Sequence, residues 1–452
     1  MLKKFSNGCV KLISRWLPDP FIFCIILTII VFIAAMPATH LGPLSIVQFW
    51  GNGVWNLLAF SMQMALVLVL GTAFANAPAI KAVLRKIAGV PKTPASAIIM
   101  VTVVSTIACW LNWGFGLVVG AILAKEIAKQ VKGVDYRLLI ASAYSGFVVW
   151  HAGVSGSIPL KVATASETLL NETAGVITEG IPTSQTIFSP WNLIICLVIL
   201  ILMPIVNAKM HPVAQDVIAI DPKLLVEEEI VAPKKDTPAQ KMENSVIMSM
   251  LVVILSVVYL VWYFATKGFD LNLNVVNLIF LTLGVLFHKT PINYVNAITD
   301  ACKGAGGVIL QFPFYAGIQG MMVGANEAGV SLASVISQFF VNISTKVTFP
   351  VWTFLSAGIV NFFVPSGGGQ WTVQAPVMLP AGQTLGVSNS LTCMAIAWGD
   401  AWTNMIQPFW ALPALGVAGL GARDIMGYCV VDLILSGIIV IIGFIIVGMI
   451  FV

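Results

Sequence analysis

Apolar runs of span length, parted by short polar or charged intervals, set the pattern of this chain from residue 20 onward. A helix that crosses a bilayer needs about 20 apolar residues at about 1.5 Å each. Stretches free of Asp, Glu, Lys and Arg can therefore be measured against that length. Residues 20–80 give 61 such positions in succession, room for two spans around a PATHLGPLS loop. Single spans fit 138–160, 180–208, 245–266, 271–288, 304–326 and 433–452. Two stretches do not fit whole spans. Residues 93–124 hold 32 uncharged positions, too many for one span and too few for two, and LNWGFG interrupts them. Residues 347–399 hold 53, broken by VPSGGGQW and again at 382–389. The pattern predicts an all-α polytopic membrane protein with two re-entrant hairpins, at about 93–124 and 347–382, and two broken helices, at about 138–160 and 388–413. Non-helical backbone at membrane depth is tolerated only where it is buried in protein or lines a wet cavity, so these breaks point to a site.

Composition narrows the class further. The chain is 58% hydrophobic and 9% charged, against about 25% charged in soluble domains. That excludes a soluble enzyme, a nucleic-acid binder and a disordered linker. The seven cysteines are scattered singly without a CxxC pair, and read as small core residues rather than disulfides or a metal site. With a cytoplasmic N-terminus and hairpins that return to the side they entered, only Lys161, Lys267 and Lys346 of the 23 basic residues fall outside, leaving 20 inside. The positive-inside rule then places the C-terminus in the periplasm. Residues 1–18, with Lys3, Lys4, Lys11 and Arg15 among apolar positions, suit an amphipathic segment on the cytoplasmic surface.

The domain organisation expected from this is a first membrane repeat at 19–208, a cytoplasmic connector at 209–244, an extra linking span at 245–266 and a second repeat at 267–452. Each repeat has two spans, a broken hairpin, an interrupted helix and a closing span. Asn112 with Trp113, and Asn361 with Phe362, precede glycines at the two hairpin tips. Gly146 and Gly399 open the two interrupted helices, followed by Trp150 and Trp402 and then Pro159 and Pro413. The odd linking span makes the second repeat enter from the opposite side, so the repeats are expected to be inverted. Paired interruptions in inverted halves point to a transporter's midplane site.

The runs WLPDPFIF, FWGNGVWNLLAFSMQMAL, NWGFGLVVGA, HKTP, LQFPFYAGIQGMM, NFFVPSGGGQW, QPFWALPALGVAGLGARDIMGY and IDPKLL resemble the short-chain fatty acid transporter family, the AtoE-type proteins of bacterial acetoacetate and butyrate use. The resemblance covers about residues 16–443. It implies a bacterial inner-membrane carrier within a broader ion-transporter superfamily of homodimers, with a scaffold and a mobile, elevator-type domain of two hairpins and two broken helices. It also implies a glycine-rich pattern at the position of His151, from which this chain departs.

Candidate substrate-binding residues are Asn112, Trp113 and Gly114 at the first tip, Asn361, Ser366, Gly367, Gly368, Gly369 and Gln370 at the second, and Thr403 and Asn404 at the second break. Consecutive glycines let backbone N–H groups approach an anion; the alternative is tight packing of a hairpin turn. No Arg or Lys falls inside the core segments, which argues for a singly charged anion rather than a dicarboxylate or phosphate. Seven of the 13 tryptophans (Trp110, Trp113, Trp150, Trp371, Trp398, Trp402, Trp410) fall in the interrupted segments, as an acyl pocket or as packing. Asp400, flanked on both sides by span-length uncharged sequence, is the intramembrane carboxylate expected to couple a cation, with Asn112, Asn361, Ser145 and His151 around it. Sodium at Asn112, Asn361 and Asp400 is slightly favoured over a proton, because the matched Asn tips have no use in a proton scheme. Cofactors and an ATPase subunit are not expected, since no GxxxxGK[ST] occurs. A Ser/His dyad of GVSGS with His151 would make an intramembrane protease, but leaves the repeat without a role. The expected function is import of short-chain monocarboxylates such as butyrate or acetoacetate by cation symport with alternating access. A carrier for another small organic anion, such as a dicarboxylate, and an anion channel are the alternatives.

Overall fold

The computed structural model describes residues 2–16, 19–163, 165–221, 236–268, 273–364 and 367–451. Ser366, and most of the connector's EEE and Lys-Lys stretch, lie outside them. Among the described residues the architecture is helical, and the single β pairing is a bridge between Ala325 and Ser331. Six helices among the described residues are long and apolar enough to cross a membrane, or seven if Ser61–Asn76 and Pro78–Ala88, bent by 82° at Ala77, form one span. The chain is a multi-pass membrane protein.

Capping chemistry sets where the helices begin. The Asp19 carboxylate accepts from the Phe21 N–H ahead of Pro20–Thr39. Thr93 and Ser96 form a reciprocal cap that opens Pro94–Leu111, and Asp135 accepts from the Leu138 N–H to open Tyr136–Ser145. Each cap satisfies helix N–H groups that would otherwise lack partners.

The first hairpin has two arms of 18 residues, Pro94–Leu111 and Trp113–Gln130, joined by the single extended residue Asn112. The first broken helix follows as Tyr136–Ser145, a 3-10 segment Gly146–Ala152, and a restart at Ser157–Val162. The second hairpin pairs Phe349–Phe363 with Gly367–Thr384. The second broken helix runs Asn389–Thr403, turns through 3-10 residues Asn404–Ile406, and restarts at Pro408–Ala418. In both cases the helix breaks where Gly or Pro weakens or removes helical bonding.

The first broken helix is almost wholly buried, whereas the linking helix Val246–Lys267 turns most of its residues outward. The centre of the molecule is therefore made of the interrupted elements. Closing helices Pro190–Met210 and Ala422–Phe451 flank them. The second closing helix is longer than the 433–452 stretch that charge spacing marks, because Arg423, Asp424 and Asp432 all lie within it. The N-terminal helix Leu2–Trp16 lies against this closing helix, with Val10 packed on Gly427.

Candidate functional site: a buried histidine–aspartate pair beneath a glycine tip

Two residues 249 apart in sequence meet where the broken helices cross. The His151 Nδ1 lies 2.6 Å from Asp400 Oδ2, and both side chains are fully buried. The other ring nitrogen, Nε2, receives the Ile158 backbone N–H at 3.0 Å, with Ser157 Oγ 2.9 Å away. A backbone N–H only donates, so Nε2 carries no proton. The imidazole is then neutral, with its hydrogen on Nδ1 directed at Asp400. The Asp400 carboxylate thus gains a hydrogen bond but no counter-charge, and its Oδ1 has no partner among the described residues. A buried carboxyl in this state calls for a proton or a cation.

The second hairpin closes over this pair. A Cβ added to Gly367 would sit 2.6 Å from His151 Cε1 and 2.6 Å from Ser157 Oγ, so only glycine lets the tip come this close. Gly368 is exposed, and a Cβ there meets nothing within 4 Å. Gly367, Gly368 and Gly369 make the first turn of an 18-residue helix, whose positive end attracts anions. Three residues on, the buried Gln370 gives its amide N–H groups to Ala357 O at 2.9 Å and Gln374 Oε1 at 2.7 Å, leaving Oε1 unpartnered among the described residues.

Asn361, in the last turn of the preceding arm, donates to Asp400 O at 2.7 Å and Thr403 Oγ1 at 2.8 Å, while its Oδ1 has no partner among the described residues. Thr403 in turn donates to Gly358 O at 2.8 Å. Asn404 is spent on a seam between the broken helices. Its carbonyl accepts from Tyr144 Oη at 2.6 Å, its Oδ1 accepts from Trp150 Nε1 at 2.8 Å, and its amide nitrogen donates to Gln407. Gln407 donates onward to the Asn361 carbonyl.

The first tip is occupied differently. Asn112 uses its side chain to cap its own helix at the Phe115 N–H, and the Trp113 N–H donates to Ser155 Oγ at 3.0 Å. The Trp113 ring packs against Phe147, Trp150 and Trp410, beside a buried Gly114. The two tip asparagines therefore do unlike work, one a helix cap and the other a brace across the second break. Trp150 stacks on both Phe147 and His151. Of the seven tryptophans, Trp150, Trp371, Trp398 and Trp402 hold their indole N–H on named acceptors, so these four read as packed structural residues.

The structure thus brings Asn361, Gly367, Gln370, His151, Asp400, Thr403 and Asn404 into one region, with Trp113 joined to it through Trp150. Ser145 belongs elsewhere: it donates to Ser142 O and accepts from Asn207 Nδ2. Tyr144, Gln374 and Gln407 are site residues that spacing alone does not single out, whereas Ser157 belongs to the GVSGS run already paired with His151, and its Oγ lies 2.9 Å from Nε2.

Broken helices that carry a buried titratable pair, set inside a multi-pass helical protein, define the architecture of a membrane transporter. A family model described as short chain fatty acid transporter matches residues 1–447. A protein of Escherichia coli (strain K12), whose name assigns it provisionally to short-chain fatty acid transport, is 47% identical over 98% of this chain and 99% of its own length. A similarly named protein of Haemophilus influenzae (strain ATCC 51907 / DSM 11121 / KW20 / Rd) is 45% identical over 98% and 99%. The crystal structure of the Alcanivorax borkumensis YdaH transporter aligns at TM-score 0.44 and 15% identity, covering 95% of this chain and 98% of that one. The chain belongs to the short-chain fatty acid transporter family and is a transporter, not an enzyme.

Proposed function

We propose that this protein is a secondary active transporter of the bacterial inner membrane that imports short-chain monocarboxylates, butyrate and acetoacetate among them, by cation symport with alternating access. The observation that carries the reading is Asp400, fully buried with one oxygen on neutral His151 and the other unpartnered. An empty carboxylate here repels a substrate anion, and a bound cation removes that repulsion. Cation first and substrate second is the order this electrostatics favours.

Sodium is the cation favoured. Among the described residues, Asn361 Oδ1 and Gln370 Oε1 are buried, unpartnered acceptors on the hairpin that packs against Asp400, and oxygen-only donors suit a hard monovalent ion. The substrate carboxylate would meet the first turn at Gly367, Gly368 and Gly369. A single charge on the substrate agrees with the absence of lysine and arginine from the residues described around the pair. Lys161, on the restarted first broken helix, is committed to Glu172 at 2.6 Å. Inverted repeats, a homodimer and elevator-type motion of the hairpins and broken helices complete the proposal, with the N-terminus cytoplasmic and the C-terminus periplasmic.

Uptake of labelled butyrate into proteoliposomes under separately imposed sodium and pH gradients tests this. Saturable, concentrative uptake driven by sodium is expected. Full uptake from a pH gradient alone, stopped by Asp400→Asn, would make Asp400 a proton carrier. Stronger competition by C4-dicarboxylates would point to another organic anion, and non-saturating equilibration to a channel.

A further inference from the structure

One carboxylate joins the glycine tip to the first broken helix. Glu172, the last residue of the short helix Glu167–Glu172, takes the Lys161 ammonium on both of its oxygens, at 2.7 Å and 2.6 Å, and the Trp371 indole N–H on Oε2 at 3.0 Å. Lys161 lies on the restarted helix Ser157–Val162 and Trp371 on Gly367–Thr384. Lys161 comes four residues after Ser157 and Trp371 four after Gly367, so each continues the same helix face by one turn. The two helices therefore meet twice: at Gly367, which lies against His151 and Ser157, and one turn on at Glu172.

Glu172 stands on a fixed post. Ser166 caps its helix by accepting from the Leu169 N–H at 3.1 Å, the Thr173 hydroxyl donates back to the Leu169 carbonyl at 2.8 Å, and Leu169 is fully buried. The segment that follows returns to the restarted helix, where the Ile181 N–H donates to the Val162 carbonyl at 2.8 Å. It then reaches Asn192, whose amide nitrogen donates to Ile187 O at 2.8 Å and Ala152 O at 3.0 Å and whose Oδ1 accepts from Trp398. The tip, by contrast, has a place to bend. Pro376 has no N–H for the Thr372 carbonyl, so helical bonding is interrupted between the first turns, 367–375, and the rest of Gly367–Thr384. Gln370 and Gln374 hold those turns by neutral bonds to Ala357 O, Ser356 Oγ and Ser337 Oγ, within the hairpin and the adjoining helix Leu332–Asn342. The bond from the fully buried Trp371 is to a charged acceptor, which makes it stronger than these, and it crosses to the first broken helix.

We propose that Glu172 is a positioning residue: it seats the glycine tip on the His151–Asp400 pair, and its release of Trp371 opens the way by which a cation reaches Asp400. Asp400 is fully buried, so an ion must pass an element that covers it, and the tip touches its partner His151 through Gly367. When the tip lifts, Lys161 and Glu172 keep each other, so the contact that breaks is Trp371 to Glu172 and neither charge is left alone. The Trp371 N–H then turns to water, which keeps the step reversible. The cation path rests on the reading of Asp400 given above; the seating of the tip does not.

The test is hydrogen–deuterium exchange of the purified full-length protein in detergent, with choline replacing sodium, read by mass spectrometry on peptides covering 367–375 and, as internal reference, Asn389–Thr403. Wild type, Trp371→Phe, Glu172→Gln and the double variant are compared. Trp371→Phe removes the indole N–H and keeps an aromatic ring; Glu172→Gln removes the charge and keeps an oxygen acceptor. Trp371→Phe is expected to speed exchange at 367–375 about tenfold, and Glu172→Gln to speed it in the same place, while Asn389–Thr403 stays as in wild type. The double variant is expected to be no faster than Trp371→Phe, because both changes act on one contact. If Trp371→Phe does not fold, Glu172→Gln, Lys161→Met and their double variant give the same reading, since Lys161 orients the carboxylate. Unchanged exchange at 367–375 in folded variants overturns the proposal. Exchange that rises throughout the protein, or effects that add in the double variant, overturns it as well, because a merely structural contact behaves that way. The readout needs neither sodium nor butyrate, so its failure is distinct from failure of the Asp400 reading, which gradient-driven uptake tests.

Discussion

Replacing Gly368 with valine separates ligand binding from folding. Position 368 lies in the first turn of Gly367–Thr384, is exposed, and offers an added Cβ no neighbour within 4 Å. Valine also has a slightly better helix propensity than glycine, so the effect on stability is expected to stay within about 0.5 kcal/mol. A carboxylate held by this turn fares worse, because the new side chain stands where the anion must come. Losing one or two charge-assisted hydrogen bonds costs about 3 kcal/mol, or about 150-fold in affinity. The neighbouring Gly367→Ala is the contrast. Its Cβ would stand 2.6 Å from His151 Cε1 and Ser157 Oγ, in a fully buried ring pinned at both nitrogens. Overpacking of this kind costs about 1–3 kcal/mol. Thermal melts in detergent with butyrate binding and uptake give the readout: Gly368→Val should keep its melting temperature and lose affinity, while Gly367→Ala should lose both. A Gly368→Val protein with unchanged melting temperature and wild-type butyrate affinity would refute a role for this turn in holding the substrate.

Asp400→Asn is expected to fold, because an amide oxygen can still accept from His151 Nδ1, and to lose much of its sodium dependence in gradient-driven uptake. Asn361→Ala removes the donors to Asp400 O and Thr403 Oγ1; melting should drop by about 1–3 kcal/mol, and sodium and butyrate titrations should weaken together. A reporter joined after Val452 should behave as periplasmic, and activity of a cytoplasm-only reporter there would contradict the inverted arrangement. His211, just beyond Pro190–Met210, accepts from the Asp135 N–H at 3.1 Å, and burial lowers its pKa from the ordinary 6.5, opposed by nearby Asp135 and helped by Lys3. The folded state therefore binds this proton more weakly than the unfolded chain. Stability held above about pH 6.5 should be lost as pH falls through the folded value, and His211→Gln should flatten that slope in melts recorded against pH.

Sequence alone determined that the chain belongs in lipid and marked the two hairpin tips and the two broken helices, though not the turn after Gly53 or the bend at Ala77. Both follow from local rules: a span needs about 20 apolar residues, and glycine, proline and polar residues within such a run mark where helical bonding gives way. The same rules drew attention to Asp400, since a lone carboxylate between long uncharged flanks is conspicuous in one dimension. They passed over Asp432, because a ruler built from charges takes it as the edge of a span, whereas packing shows it buried inside a longer helix. Only the tertiary structure decided who partners whom. His151 and Asp400 come together across 249 residues; Gly367 matters because a buried imidazole lies against it; and two asparagines that look alike at their tips divide into a helix cap and a brace. Such assignments depend on the relative placement of helices remote in sequence, and in a membrane that placement is set by close packing and interhelical hydrogen bonds, which no local pattern of residues records.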